Sequence, residues 1–241
     1  MQLDAGFKID RFTWNVIDSN AYLVREGNNG LLIDTVDDPE LYDLVAALDD
    51  LKIILTHSHF DHISGLSKIR ECKPDVRVIS TLECSKNIGN KHKNMSASGN
   101  AFLTFYLKKN NRSAELIDSE EKLRYIKDTE CGPAEIVFQD ELNFVWEGHQ
   151  VILTRFFGHS NDSLIALFDD KYMFSGDTIL SIPTVTRFPG GSTKRFWDED
   201  IPKLQKMVSE IETVFPGHGD PGRLDDFIAV NTKPERISYE P

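Results

Sequence analysis

A short, histidine-rich segment constrains this chain more than any other feature. Three histidines and one aspartate lie within six residues of one another, at His57, His59, Asp61 and His62. Residues 52–55 before them, Lys-Ile-Ile-Leu, have the pattern of a buried parallel strand, and a helix is predicted over 64–71 after them. The segment therefore lies where a strand ends and a helix begins, which is where open α/β sheets place their functional sites.

Three imidazoles gathered in one turn are costly as structural residues, because each buried ring nitrogen needs a hydrogen-bond partner. A metal ion supplies partners to several of them at once, and neutral imidazole is the commonest metal ligand. His57 and His59 are two residues apart, so in an extended chain both side chains point to the same side. The segment therefore predicts a metal site.

Three later turns have a related pattern, in which a histidine or aspartate follows a glycine after a predicted strand. They are Gly158-His159, Ser175-Gly176-Asp177 and Pro216-Gly217-His218-Gly219. Glycine permits the sharp turn that lets the next side chain face inward. Together the four segments supply five histidines and two aspartates, enough for two metal ions.

The other apolar patterns predict alternating strands and helices. Further strands are predicted at 12–16, 21–24, 31–33, 76–80, 136–138, 151–156, 163–168, 172–174 and 213–215. Helices are predicted to begin at Pro39 and to cover 198–211. The strand-rich segments flank residues 86–128, so we predict an α/β fold with two packed layers.

The stretch between these segments differs in charge from the rest of the chain. Residues 86–128 carry nine positive and five negative side chains, whereas the whole chain has a net charge of −12. We interpret this stretch as a mostly helical insertion, about 86–130, with a helix near 101–107. It is either a solvated cover over the core or a cap that helps to hold an anionic or apolar substrate. Lys108 and Lys109 are the candidates for contact with an anion.

Composition excludes several classes of function. With 27 Lys and Arg against 39 Asp and Glu, the chain is a poor binder of nucleic acid or of anionic membranes. No apolar run approaches the roughly 20 residues of a membrane-spanning helix. The three cysteines are an odd number at irregular spacing, which argues against a disulfide framework. We therefore expect a cytoplasmic protein that acts on a small molecule.

In the order of its motifs the sequence resembles the metallo-β-lactamase superfamily. The resemblance rests on Leu32-Ile33-Asp34, the segment Thr56 to His62, and the three later turns, and it covers most of the chain. It implies a single domain over residues 1–241, folded as a four-layer αβ/βα sandwich with a metal site between the loops of the two sheets.

The resemblance also implies a role for each candidate ligand. By position, His57, His59 and His159 would hold one metal, and Asp61, His62 and His218 would hold the other. Asp177 would bridge the two, and Asp34 would support the metal-binding turn without binding a metal itself. His92 and His149 match no motif, and we interpret them as non-ligands.

The chemistry follows from such a site. Two cations roughly 3.5–4 Å apart share a bridging water and lower its pKa towards about 7, so that a hydroxide attacks an acyl carbon or a phosphorus. Asp61 is the candidate to accept the proton of the attacking water. A set of His and Asp ligands favours zinc and also accepts iron or manganese.

The run Arg187-Phe188-Pro189-Gly190-Gly191-Ser192 resembles glyoxalase II and its short relatives. Only 23 residues follow His218 (241 − 218), so the helical domain with which glyoxalase II binds glutathione is not expected. The turn after His159 departs from the family's Thr-Pro-Gly, since Asp162 stands at the glycine position. Arg187 either binds a substrate carboxylate or phosphate, or pairs with a nearby acid.

These observations predict a dinuclear hydrolase of the short glyoxalase II-like type, acting on a thioester or on a lactone or other ester. The alternative is a mononuclear iron-dependent dioxygenase, similar to the persulfide dioxygenases on the same fold. A non-catalytic binding protein would be expected to have lost ligands, and no ligand position is missing here.

Overall fold

The structure is a computed structural model that describes residues 6–98 and 128–232. The helix predicted near 101–107 and the candidate contacts Lys108 and Lys109 lie outside the described residues. Of the predicted insertion, the structure describes the end of a helix at Leu82–Asn87, turns over 88–95, a helical turn at 96–98, and residues 128–130.

The first sheet contains six strands in sequence order. They are β1 (Lys8–Trp14), β2 (Ser19–Glu26), β3 (Asn29–Ile33), β4 (Asp50–Ile54), β5 (Arg77–Thr81) and β6 (Ile136–Phe138). β1, β2 and β3 pair antiparallel, and β3 to β6 pair parallel. The parallel strands are joined by the helices α1 (Pro39–Ala46) and α2 (Leu66–Cys72), and α3 (Leu82–Asn87) follows β5.

The second sheet contains five strands in the order β11-β10-β9-β8-β7. They are β7 (Glu141–Trp146), β8 (His149–Arg155), β9 (Leu164–Phe168), β10 (Tyr172–Gly176) and β11 (Thr213–Pro216). Only β10 and β11 pair parallel. Along the chain, β10 is followed by α4 (Thr193–Arg195), a π-helical turn (Phe196–Asp200) and α5 (Ile201–Met207) before β11. The helix α6 (Leu224–Asn231) follows β11.

Alternation along the strands of the first sheet builds two cores. On β2, Tyr22 and Val24 face the second sheet, whereas Leu23 between them faces the helices. One buried cluster therefore packs α1 and α2 on the first sheet, a second fills the space between the sheets, and a third packs α5 and α6 on the second sheet. The order helix, sheet, sheet, helix confirms the predicted four-layer αβ/βα sandwich. None of the described helices has the length and apolar character needed to cross a membrane.

The prediction of a helix over 198–211 is wrong at both ends. Helical structure begins at Thr193, includes the π-helical turn and ends at Met207. The chain leaves the helix early because the backbone N–H groups of Glu212 and Thr213 donate to the carbonyl of Lys171, which aligns β11 beside β10. β7, α3 and α6 were not predicted; β7 is an edge strand in which only Trp146 is fully buried.

His149 connects the two sheets at the end opposite the histidine-rich turn. Its Nδ1 lies 2.5 Å from Asp169 Oδ2 in the second sheet, and its Nε2 lies 2.9 Å from Glu26 Oε2 at the end of β2. The ring stacks on Phe168 with 4.7 Å between ring centroids. His149 is therefore an inter-sheet contact.

We predict that His149→Ala lowers the free energy of unfolding by about 1–3 kcal/mol, because two carboxylates lose their shared partner. Urea denaturation followed by circular dichroism measures this change. His92→Ala, at an exposed histidine, is the control and should stay within about 0.5 kcal/mol of the parent. An unchanged stability of His149→Ala would contradict the contact's role.

Candidate metal centre

Asp34 organises the turn that carries the first histidines. It ends β3 in the left-handed region at φ 58°, and its carboxylate accepts the backbone N–H and the hydroxyl of Thr56, each at 2.7 Å. Its Oδ2 also lies 2.9 Å from His62 Nδ1. This contact turns the opposite nitrogen of the His62 ring inward. A carboxylate oxygen of Asp34 also lies within 4.8 Å of ring nitrogens of His57 and His62, but because its oxygens already accept three donors we expect Asp34 to orient the ligands rather than to bind the metal.

The structure brings the candidate ligands into two adjoining clusters. The donor atoms of His57, His59 and His159 lie within 4.8 Å of one another, as do those of a second set, Asp61, His62 and His218. Asp177 contacts both sets: its Oδ2 lies 3.5 Å from the Nε2 atoms of His159 and His218.

These spacings fit the coordination of a small cation. Asp61 Oδ2 lies 3.2 Å from His218 Nε2 and 3.3 Å from His62 Nε2. Ligands placed tetrahedrally at about 2.0–2.1 Å from a zinc ion are separated by roughly 3.3–3.4 Å. The distances from Asp61 to the two histidines of the second set therefore match those between ligands of one ion.

Several buried atoms that could bind a metal have no hydrogen-bond partner among the described residues. They are His57 Nε2, His62 Nε2 and Asp177 Oδ1. An unpaired buried polar atom is destabilising, and native proteins rarely leave one without a partner. A bound cation would supply the missing partner to all three, so the residues present fit a metal site.

The environment of the first set of histidines favours neutral imidazole rings. Burial, together with the neighbouring ring of His62, holds the pKa of His57 well below its usual value. Burial and the ring of His159 lower the pKa of His59 to about 4. Both rings are therefore neutral at pH 7, which is the state that binds a metal.

The carboxylates of the site are ionised. Burial alone would raise the pKa of Asp61, but the rings of His62 and His218 outweigh burial and hold it well below its usual value. The same two rings act against burial to lower the pKa of Asp177. Burial also opposes protonation of His62, yet the carboxylates around that ring raise its pKa. The ionised carboxylates and the protonated ring of His62 therefore stabilise one another, and a bound cation would take the place of the proton on that ring.

Two glycines are required for the loops to approach so closely. Gly176 has φ 47°, and a Cβ there would lie 2.3 Å from Thr56 Oγ1. A Cβ on Gly217 would lie 2.3 Å from Asp177 Oδ1. The sharp turn predicted from glycine applies to Gly176, whereas Gly217 is needed because the aspartate lies against its backbone.

His159 is fixed by residues that the sequence motifs did not reveal. Its Nδ1 lies 2.8 Å from the carbonyl of Val185, so its Nε2 faces the site. The preceding turn is held by the buried carboxylate of Asp200, which accepts the backbone N–H of Gly158 at 2.6 Å. Asp162, at the unusual position after His159, is buried and accepts hydrogen bonds from Ser160 and Asn87.

The first sheet also holds the turn that carries His218. Asn20, buried at the start of β2, donates from its amide to the carbonyls of Pro216 and Gly219. Its backbone N–H donates to the carbonyl of Gly217 at 2.7 Å. Nothing near Asn20 in the sequence indicates this role, because its partners lie almost 200 residues away.

A cavity of about 170 Å³ opens beside the two clusters. It is lined by apolar side chains and by five of the candidate ligands, His59, Asp61, His159, Asp177 and His218. Arg187 is exposed and is not among the lining residues of this cavity, so its role in substrate binding stays a prediction. His92 and His149 lie outside the clusters.

Comparisons with known proteins agree with this arrangement. A family model described as the metallo-beta-lactamase superfamily matches residues 14–218. A curated relative, Beta-lactamase-like protein 2 homolog of Drosophila melanogaster, is 25% identical over 217 residues, which are 84% of this chain. The match spans only 59% of that relative's length. The comparisons do not single out the glyoxalase II-like subgroup.

Solved structures share the fold. BLEG-1 B3 metallo-beta-lactamase superposes with a TM-score of 0.72 at 19% identity, covering 93% of this chain and 98% of that one. TTHA1623 in a di-iron-bound form superposes with a TM-score of 0.61 at 23% identity, covering 92% and 98%.

We predict that Asp34→Asn weakens metal binding by about 10- to 100-fold, because an amide cannot accept all the hydrogen bonds that orient Thr56 and His62. Competition with a chromophoric chelator measures the affinity. Asp170→Asn is the matched control, since Asp170 is exposed and has nearly the same φ, 55°. Equal affinities of the two variants would contradict the role given to Asp34.

Asp200 should make stability depend on pH. Burial raises the pKa of its carboxyl from 3.8 to about 6. The folded protein therefore holds this proton more tightly than the unfolded chain, and the free energy of unfolding contributed by Asp200 falls as pH rises from about 4 to about 6.

Asp200→Asn should consequently gain stability relative to the parent across this interval, by up to about 3 kcal/mol. Urea titrations at several pH values measure the difference, in which the groups common to both proteins cancel. Asp198→Asn, an exposed acid in the same helical turn, is the control and should run parallel to the parent. If the free energy of unfolding of Asp200→Asn changed with pH in parallel with that of the parent, the pKa of the Asp200 carboxyl would not be raised in the folded protein.

Proposed function

The chain belongs to the metallo-β-lactamase superfamily, and we propose that it is a dinuclear, metal-dependent hydrolase of the short glyoxalase II-like type. The observation that carries the proposal is the pair of ligand clusters joined by Asp177 at the base of a cavity. Two complete clusters favour two ions per chain. A ligand set of imidazoles and carboxylates suits zinc, with iron or manganese as the other candidates.

His57, His59 and His159 would hold one ion, and Asp61, His62 and His218 the other, with Asp177 between them. Two bound divalent ions supply a hydroxide nucleophile at neutral pH and polarise the oxygen of the bond to be cleaved. No serine or cysteine nucleophile is required for hydrolysis at such a site.

The protein's own residues orient the groups that react. Asp61 is ionised and 5% exposed at the cavity wall, so it is placed to accept the proton of the attacking water. The carbonyl of Val185 holds the His159 ring in one orientation. Phe60 and Phe188 line the cavity beside these groups.

We propose an activated acyl bond as the substrate bond, either a thioester or a lactone or other ester. In each case hydroxide would add to the acyl carbon and the bond to sulfur or oxygen would break, and the leaving thiolate or alkoxide would take the proton accepted by Asp61. A mononuclear iron-dependent dioxygenase is less favoured, because a second cluster lies beside the first and would have no role in it.

The test is elemental analysis of the purified protein combined with a hydrolysis screen of thioesters and lactones. Close to two metal ions per chain with turnover supports the proposal. One iron per chain with oxygen uptake and no hydrolysis would replace it with the dioxygenase.

We predict that Asp177→Ala loses nearly all hydrolysis and binds fewer metal ions per chain, because both clusters lose their common carboxylate. Metal content and turnover are measured on the same preparation. Asp226→Ala, at an exposed acid of α6, serves as the control and should keep both properties. Full activity of Asp177→Ala with intact metal content would overturn the two-metal mechanism.

A further inference from the structure

The wall of the cavity beside the clusters is almost entirely apolar. Its lining residues other than the histidines and aspartates are Ile17, Phe60, Met95, Leu180, Ile182, Pro183, Val185 and Phe188. Within the described ranges, no lysine or arginine lines this cavity. The polar groups of the cavity are therefore confined to the end where the ligand clusters lie.

The apolar surface continues outward to the rim. Ile182 is 52% exposed and Val185 is 38% exposed, and these are two of the most exposed large apolar side chains among the described residues. Exposed apolar side chains that adjoin a cavity mark a binding surface when they form one patch with it. Pro183 lies between them in the sequence and lines the same cavity.

Met95 brings the base of the predicted insertion into this wall. It is a non-glycine residue in the left-handed region, at φ 65°, and is 7% exposed. The neighbouring Asn94 fixes this conformation, because its carbonyl accepts the N–H of Phe60 and its side chain accepts the N–H of Ser96. Strained backbone of this kind persists where the surrounding contacts hold it, often beside a ligand site.

Charge decides which substrates suit this wall. The lining side chains that can carry a charge are Asp61, Asp177 and the histidines, and all of them lie at the polar end. A substrate carboxylate buried against the apolar side chains would lose its hydration without gaining a cationic partner from the described lining. A neutral, apolar group has no charge whose hydration would be lost, and its binding is favoured because apolar surface is removed from water.

We propose that the cavity binds the acyl chain of a neutral, apolar thioester or ester, with the reacting carbonyl at the ligand clusters. This inference rests on the proposed function and names its substrate class. The cavity of about 170 Å³ is smaller than sites for drug-sized ligands, which enclose roughly 300–1,000 Å³. It therefore suits short to medium acyl chains.

The first test is a series of thioesters of N-acetylcysteamine, which is itself uncharged. The series consists of acetyl, butanoyl and hexanoyl thioesters, with the succinyl thioester as the anionic match of butanoyl. We expect kcat/KM to rise about fourfold for each added methylene and butanoyl to be preferred over succinyl by about tenfold or more. A flat series, or a preference for succinyl, would overturn the proposal.

A charge at the rim should change this selectivity. In Ile182→Lys the preference for butanoyl over succinyl should fall about tenfold, because the ammonium group offers the succinyl carboxylate a partner. Val145→Lys is the matched control: Val145 is a 70% exposed valine on β7 and does not line the cavity, so it should keep the preference of the parent. If the ratio of kcat/KM for butanoyl to that for succinyl were equal in the two variants, the residues at the rim would not belong to the binding site.

A binding measurement separates this inference from the hydrolase proposal. The chain has four methionines, so methyl signals from carbon-13 methionine can be observed singly, and Met95→Leu identifies the Met95 signal. We expect 2-octanone, a neutral ketone that cannot be hydrolysed, to shift the Met95 signal and 4-oxopentanoate to leave it unchanged. That result without any thioester turnover would support the apolar site and refute hydrolysis. Turnover without a 2-octanone shift at Met95 would refute the apolar site and leave hydrolysis standing.

Discussion

The constraint on which the structure depends is the burial of four imidazoles and two carboxylates at one place, with the half-buried ring of His218 beside them. Buried nitrogens and carboxylates are destabilising without partners, and here the atoms that face one another at 3.2–3.5 Å are the ones that a metal would join. Their opposite atoms are held by the protein, as Asp34 holds His62 and the Val185 carbonyl holds His159. The site is therefore oriented from outside by hydrogen bonds and left open towards its centre.

The four-layer fold allows both sheets to contribute to this place. β3 and β4 end at Asp34 and at the turn of His57, and β10 and β11 end at Asp177 and at the turn of His218. Parallel neighbours in a sheet bring their carboxyl ends to the same edge, and packing the two sheets face to face brings the two edges together. The contacts of Asn20 with the His218 turn then fasten one edge to the other.

The sequence predicts the parts of the site that are local in the chain. The spacing of His57, His59 and His62 and the glycines before the later ligands are visible without a structure, and so is the α/β order of strands and helices. Asp200 is not recognisable in this way, because its role depends on a backbone N–H that lies 42 residues away. Asp162 is visible as an unusual residue, but its hydrogen bond to Asn87 requires the fold. The apolar wall likewise combines Ile17, Met95 and Ile182 from distant segments.

Anomalous X-ray diffraction at the absorption edge of the bound metal would show directly whether these side chains hold two metal ions. We expect two anomalous peaks, one bonded to His57, His59 and His159 and the other to Asp61, His62 and His218. Asp177 should lie within bonding distance of both. A single peak at one cluster, or peaks that none of these side chains contacts, would contradict this expectation.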